Sequence, residues 1–123
     1  MKRDMDLVRA ILFKAEEAPG GSDVGRIEIP GWDEADVLEH IALLKEAGYV
    51  EAAVMRSGNT GGVRAAVVQR ITWQGHEFLD LARSDTLWSE AKDVATKQAG
   101  SASLEVFKAI LTALVLRAVG LPG

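Results

Sequence analysis

Few residues in this sequence are placed to carry out catalytic or metal chemistry. The chain contains no cysteine, which excludes thiolate nucleophiles and cysteine-ligated metal ions. Its two histidines, His40 and His76, lie far apart in the sequence, on different predicted elements. Asp36 and His40 have the i, i+4 spacing that is typical of a solvated pair on a helix surface. We therefore predict no metal site and no cofactor.

The serines and glycines also lack the arrangements that chemistry needs. No serine lies in the Gly-x-Ser-x-Gly turn that exposes a nucleophile, so the serines are predicted to be helix caps and turn residues. The glycine-rich run at residues 58–62 joins two predicted strands, whereas a phosphate-binding loop leads from a strand into a helix N-terminus. We predict that the protein is not an enzyme, and the sequence indicates no small-molecule ligand.

Basic residues around this glycine-rich turn are the strongest candidates for binding. Arg56 and Arg64 flank the turn, which contains Asn59. Arg70 lies farther along the second predicted strand, and Lys45 lies near the end of the preceding helix. Arginines at a hairpin tip suit contacts with phosphates or the DNA minor groove. They are equally typical of a solvated strand surface, so both interpretations stay open.

Apolar spacing and turn residues predict the elements that position these side chains. In chain order they are a helix over residues 4–18, a strand over Arg26–Ile29, a helix over 33–47 ending at Gly48, a hairpin of strands over 49–55 and 63–71, and three further helices. Thr72 is predicted to cap the first of these three helices, and Ser84 or Asp85 to start the second. Ser103 is predicted to cap the third, over residues 104–119.

The tryptophans are predicted to divide between core and surface. Trp88 lies on an apolar helical stripe and is expected in the core. Trp73 lies beside the Thr72 cap and is expected to be half-buried against the hairpin. Trp32 either packs under the start of the next helix or is exposed for contact.

This order of elements predicts an α+β fold that is mostly helical. It is the order of a winged helix-turn-helix-like domain with a β-hairpin wing and two additional C-terminal helices. We expect a single domain over residues 1–123, with a winged-helix core at 1–83 and a C-terminal helical extension at 84–123. The runs Leu38–Val50 and Ile71–Leu79 resemble the segments on either side of the wing in winged-helix regulators. In those regulators the Thr of the second run caps a helix, and its Gly lets that helix pack closely.

Three segments of the chain also resemble a small bacterial and prophage family of unknown function. They are Met1–Arg9, Ile71–Asp80 and Asp85–Trp88, and together they span most of the chain. The resemblance implies a winged-helix-like fold and a phage or mobile-element setting, and it implies no catalytic or binding residues. The final helix is more apolar than this family leads one to expect.

The net charge of −4 is equalled by the charge of one predicted helix. Residues 33–47 carry five acidic side chains and one basic side chain, Lys45. A helix that reads the major groove approaches closely spaced phosphates and is normally neutral to basic. The acidic helix therefore disfavours ordinary recognition-helix docking, which leaves the arginines of the wing as the DNA contacts.

The last predicted helix carries more apolar surface than a single packing contact needs. A helix on one side of a small domain needs an apolar stripe of about 100°. The excess predicts self-association through an interface formed by Phe107, Ile110, Leu111, Leu114 and Leu116. The alternative is that this helix lies between the first helix and the helix that contains Leu87–Ala95, and is buried on nearly all sides.

Two functions from different classes follow. The first is a winged-helix nucleic-acid-binding or regulatory protein of phage type that uses a basic wing, with DNA as its partner. The alternative is a protein-interaction module without nucleic-acid binding, in which the acidic helix or the apolar last helix is the contact surface. No apolar run exceeds four residues, and the opening residues lack a secretory signal, so we expect a cytoplasmic protein with no membrane contact.

Overall fold

The computed structural model describes residues 1–99 and 103–122. This part of the chain has an α+β fold that is mostly helical, with five α-helices and one antiparallel β-hairpin. The elements in chain order are α1 (Met5–Glu16), α2 (Glu34–Glu46), β1 (Val50–Arg56), β2 (Val63–Ile71), α3 (Trp73–Leu81), α4 (Asp85–Ala99) and α5 (Leu104–Ala118). Apart from the strand over Arg26–Ile29, the predicted elements are confirmed to within a few residues.

The chain divides into two compact units, Met1–His76 and Glu77–Gly123. The division lies within α3, whereas the sequence indicated a seam near Ser84. Phe78, near the end of α3, explains the difference because its ring meets Trp88 of α4 edge-on, with the centroids 6.1 Å apart. No helix in the described ranges is long and apolar enough to cross a membrane.

The first unit is built around α2, which packs against α1 and against both strands of the hairpin. Helix α1 begins after Asp4, whose side chain accepts hydrogen bonds from the N–H groups of Asp6 and Leu7 at 2.8 and 3.4 Å. The apolar stripe of α1 and the inner face of α2 are buried, and these core residues are Leu7, Val8, Ile11, Leu12, Ala15, Val37, Ile41, Ala42 and Leu44.

His40 connects the start of α1 to α2 and is not solvated. Its ring is 1% exposed, so the predicted solvated pair with Asp36 is wrong. The Nδ1 atom lies 2.8 Å from the carbonyl oxygen of Asp36, and the N–H of Asp4 donates to Nε2 at 2.9 Å. Because a carbonyl only accepts, Nδ1 carries the proton and Nε2 is the acceptor.

We expect a His40→Leu variant to lose about 1–3 kcal/mol of folding stability, since the Asp4 N–H would lose its acceptor in a partly buried position. Urea denaturation followed by circular dichroism measures the change. His76→Leu is the matched control because His76 is exposed, and its effect should stay within about 0.5 kcal/mol. Equal stability losses in the two variants would contradict the role assigned to His40.

The chain passes from α2 to the hairpin through Gly48, whose φ of 78° is the left-handed value that favours glycine. After the hairpin, the Thr72 hydroxyl connects the start of α3 to the turn before β1. It donates to the carbonyl of Gly48 and accepts from the N–H of Gly75 at 3.2 Å. The Thr72 N–H also donates to the carbonyl of Tyr49 at 3.0 Å. The predicted cap is confirmed, and it fixes α3 against the start of β1.

Two register shifts interrupt the hairpin. The first leaves Gln69 without a partner opposite it, and the second does the same for Arg64, because Met55 pairs with Ala65 while Arg56 pairs with Val63. Such bulges redirect side chains and bend a strand locally. Arg64 therefore stands at an irregular point of β2.

The predicted strand over Arg26–Ile29 is wrong. Only Gly25 pairs with β2, through two hydrogen bonds with Val68 at 2.8 and 2.9 Å. Gly25 has a φ of 88°, which turns the segment away from β2 after this single pair. Ile27 is still buried, as the alternation predicted, but it is buried without a ladder.

The second unit contains a chain of aromatic contacts. Trp88 lies between Phe78 and Phe107 and meets Phe107 with centroids 4.9 Å apart, which confirms it as a core residue. Trp73, in contrast, is 78% exposed, so its predicted burial against the hairpin is wrong. The buried face of α3 contains Gly75, and Trp73 lies two residues earlier, on the opposite side of the helix.

Candidate functional site

The hairpin tip, residues 57–62, is held by contacts within the chain. Arg56 donates to the carbonyl of Gly61 at 3.0 Å, and its Nη1 lies 3.6 Å from Oε1 of Glu39 on α2. The same Glu39 oxygen accepts the N–H of Val63 at 3.0 Å. An acidic residue of the predicted recognition helix thus organises the base of the tip, and it offsets the charge of Arg56.

Arg70 is also neutralised within the chain. Its guanidinium forms a bidentate pair with Glu51 on the neighbouring strand, at 2.8 and 2.9 Å. The hydrogen bonds to Glu51, together with its negative charge, raise the pKa of Arg70. Both side chains are exposed, so the pair contributes little to stability, but it leaves less positive potential for a phosphate.

The other predicted nucleic-acid contacts lie on separate elements. Asn59 is exposed in the tip, and its backbone N–H donates to the hydroxyl of Ser57 at 3.3 Å. Lys45 is exposed in the last turn of α2. Arg64 is exposed at the bulge and forms no ion pair within the described residues. Of the three arginines predicted as wing contacts, Arg64 alone forms no ion pair with an acidic side chain among the described residues.

A cleft of about 350 Å³ lies beside β2 in the first unit, where residues 26–29 leave the sheet. We call it the β2 cleft. Apolar groups from three places line it: the 26–32 segment, α2 and β2. The charged residues at its edge are Arg26, Glu28, Glu34 and Arg64, and none of the four forms an ion pair within the part of the chain that the structure describes.

Trp32 lines this cleft and is half-buried. Both interpretations of Trp32 are therefore partly correct, because the residue lies just before the start of α2 and is partly covered, and it also borders the open space of the cleft. Sequence reasoning missed the cleft because it assigned the same segment to a strand. The signals that point to it are Gly25 and the Pro30-Gly31 turn, because glycine and proline at the two ends of this segment weaken regular strand pairing.

The cleft borders an unpaired edge of β2. Val68 directs its N–H and C=O towards Gly25, and backbone groups alternate between the two edges along a strand. The N–H and C=O of Ala66 therefore face the same edge, where residues 26–29 form no ladder. Ala66 lines the cleft and is 3% exposed, so only a small part of this residue is open to solvent.

The predicted oligomer residues of α5 fall into two groups. Phe107, Leu111 and Leu114 are buried in the chain itself, on a helix that packs against α4, so they are core residues. Ile110 and Leu116 are partly exposed. The alternative of a helix buried on nearly all sides is wrong, because Val106 is 50% exposed.

A shallow groove runs along the outer side of α5, and its lining residues are Glu105, Lys108, Ala109, Thr112, Ala113 and Leu116. Small side chains such as Ala109 and Ala113 would let another element approach the helix closely. Among the described residues, no group of three or more His, Asp or Glu side chains is placed to hold a metal ion.

The sequence is similar to one protein family and to one curated bacterial protein. The family described as "Hypothetical protein (DUF2513)" matches residues 2–102. An "Uncharacterized protein" of Haemophilus influenzae is 33% identical over 116 residues, which cover 94% of this chain and 96% of that protein. No solved structure gave a significant match. The family match covers most of the chain, and the chain therefore belongs to the DUF2513 family.

Proposed function

We propose that this protein is a winged-helix-like protein-interaction module, with a regulatory role and no enzymatic activity. The winged-helix description is part of the proposal and is supported by the order of α1, α2 and the hairpin. The phage or mobile-element setting is likewise proposed, and it is supported by the sequence resemblance alone.

The distribution of charge carries this proposal. In the proposed winged-helix arrangement α2 would be the recognition helix, yet the range 33–47 has a net charge of −4. Arg56 and Arg70 of the hairpin are next to Glu39 and Glu51. The first unit therefore presents acidic and ion-paired surfaces where a DNA-binding domain presents free cations.

Selection from a random displayed peptide library tests the proposal directly. The intact chain is expected to enrich peptides with a shared pattern of residues, and the enriched peptides should bind in solution when they are synthesised. A chain unfolded by heat is the control for non-specific adsorption. Failure of the folded chain to enrich any sequence above this control would overturn the proposal.

DNA binding through the wing is the second candidate, and one observation favours it: Arg64 is exposed beside the glycine-rich tip and has no acidic partner within the described chain. If DNA is bound, a double change of Arg56 and Arg64 to Ala should weaken binding to all sequences alike. The slope of log K against log salt should fall by about 1.8, the value for two phosphate contacts.

An acidic residue of α2 gives the complementary test of DNA binding. Glu39→Lys should strengthen non-specific binding by removing a repulsion, but this change also breaks the hydrogen bond to Val63. Glu46→Lys is the cleaner variant, because Glu46 is exposed in the last turn of α2 and forms no ion pair among the described residues. Fluorescence anisotropy with random duplex DNA measures both. Unchanged anisotropy for the parent and all variants would exclude the wing as a nucleic-acid surface.

We also infer that two copies of the chain associate through the groove on α5. The groove edge carries one charge of each sign, Glu105 and Lys108, and neither forms an ion pair within the described chain. In a two-fold symmetric contact, the same surface of both chains meets. Glu105 of each chain then pairs with Lys108 of the other chain. A second copy is therefore a complementary occupant for this groove.

A further inference from the structure

We propose that the β2 cleft binds an extended peptide by strand addition, in the place where the sequence predicted a strand of the chain's own. This inference deepens the proposed function, because it names the site and the kind of partner. An unpaired strand edge is a template for another strand, and main-chain hydrogen bonds along such an edge provide affinity in many peptide-binding domains.

The backbone of β2 offers hydrogen-bonding groups without a strand partner at this edge. The Gly25 pair shows how β2 is bonded at this edge, with both groups of Val68 engaged at 2.8 and 2.9 Å. Two residues earlier, the N–H and C=O of Ala66 face the same edge and have no strand partner. The open stretch over residues 64–66 is about 10 Å long at 3.3 Å per residue, enough for three residues of an added strand.

Apolar side chains surround this edge of β2. Ile27, Val37 and Leu38 give the cleft apolar walls, and its volume of about 350 Å³ is within the range of binding clefts. An added strand directs alternate side chains to opposite faces, so every second residue of the peptide would enter the apolar part. The peptide should therefore carry aliphatic residues at alternate positions.

The charges at the edge of the cleft indicate which residues the peptide should carry between its aliphatic residues. Arg26 and Arg64 offer two cations, while Glu28 and Glu34 offer two anions, and all four lack ion-pair partners within the described residues. A peptide with both acidic and basic residues between its aliphatic ones complements this edge. A nucleic acid does not, because its uniform negative charge would meet both glutamates.

Eight-residue synthetic peptides test the inference. They are acetylated and amidated, carry Val, Ile or Leu at alternate positions, and carry Glu, Lys or Thr between them. The tightest-binding member is titrated against the parent, Arg64→Ala and Arg56→Ala by fluorescence anisotropy. We expect Arg64→Ala to weaken binding about tenfold and Arg56→Ala to leave it unchanged, since Arg56 does not line the cleft.

N-methylation of the same peptide tests strand addition itself. Methyl groups on alternate peptide nitrogens that face β2 should abolish binding, while methyl groups on the other set should be tolerated. Equal tolerance of both sets, equal effects of the two arginine changes, or no binding by any library member would overturn the cleft assignment. Peptides enriched from the random displayed library could also bind equally well to the parent and to Arg64→Ala, and tolerate N-methylation at every position. That result would support the proposed function but place the binding site outside the β2 cleft. If the displayed library also enriches nothing, both proposals fail.

Discussion

A Gly75→Ala variant is expected to lose about 3 kcal/mol or more of folding stability, even though alanine is the better helix former. Gly75 lies in the first turn of α3, where an added Cβ would be 2.1 Å from the carbonyl oxygen of Tyr49 and 2.6 Å from Cγ2 of Ile71. The gain in helix propensity is about 1 kcal/mol. Overpacking against a backbone atom that cannot rotate away exceeds this gain.

Chemical denaturation of the parent and the variant measures this effect, with Gly58→Ala as the matched control. Gly58 lies in the hairpin tip with no atom within 4 Å of an added Cβ and without a positive φ. We expect the control to stay within about 0.5 kcal/mol of the parent. A Gly75→Ala variant as stable as the control would contradict the close approach of α3 to β1.

Two neighbouring leucines of α5 are expected to respond in opposite ways to the same change. Leu114 is buried, so Leu114→Glu should cost at least about 4 kcal/mol and unfold the second unit, because it buries an unpaired charge. Leu116 lines the outer groove and is partly exposed, so Leu116→Glu should leave the fold intact. Circular dichroism separates the two outcomes.

Light scattering on the same proteins tests self-association. The parent is expected to have the mass of two chains, and Leu116→Glu the mass of one folded chain, because glutamate would place like charges against each other across a two-fold contact. A parent that stays a monomer at high micromolar concentration would rule out the α5 contact. Unfolding of Leu116→Glu would instead show that Leu116 belongs to the core.

The elements of the fold could be predicted because their signals are local. Asp4, Thr72 and Ser103 act as helix caps, and Gly48 takes the positive φ that ends α2. The failures have a different origin. Arg26–Ile29 forms a strand only if it stays within backbone hydrogen-bond distance of β2 beyond Gly25. Apolar alternation carries no information about the distance between the two segments.

The candidate site could be predicted only in part, for a related reason. The sequence identified the hairpin arginines, but the pairing of Arg56 with Glu39 joins residues 17 positions apart, and no local pattern contains it. His40 is a similar case, since its partner Asp4 lies 36 positions away and caps another helix. The β2 cleft was missed because it arises where pairing stops, and sequence patterns indicate pairing better than its absence.

A ¹⁵N–¹H correlation spectrum of the intact chain tests the central claim most directly, namely that the β2 cleft and not the hairpin tip is the binding surface. The chain is titrated in one sample with the tightest-binding octapeptide and in another with random duplex DNA near physiological salt. We predict that the peptide shifts the amide signals of Ile27, Leu38 and Ala66, and that DNA shifts no signal of residues 57–62. Salt-sensitive shifts of the tip signals with DNA, with the cleft signals unmoved by the peptide, would contradict the account.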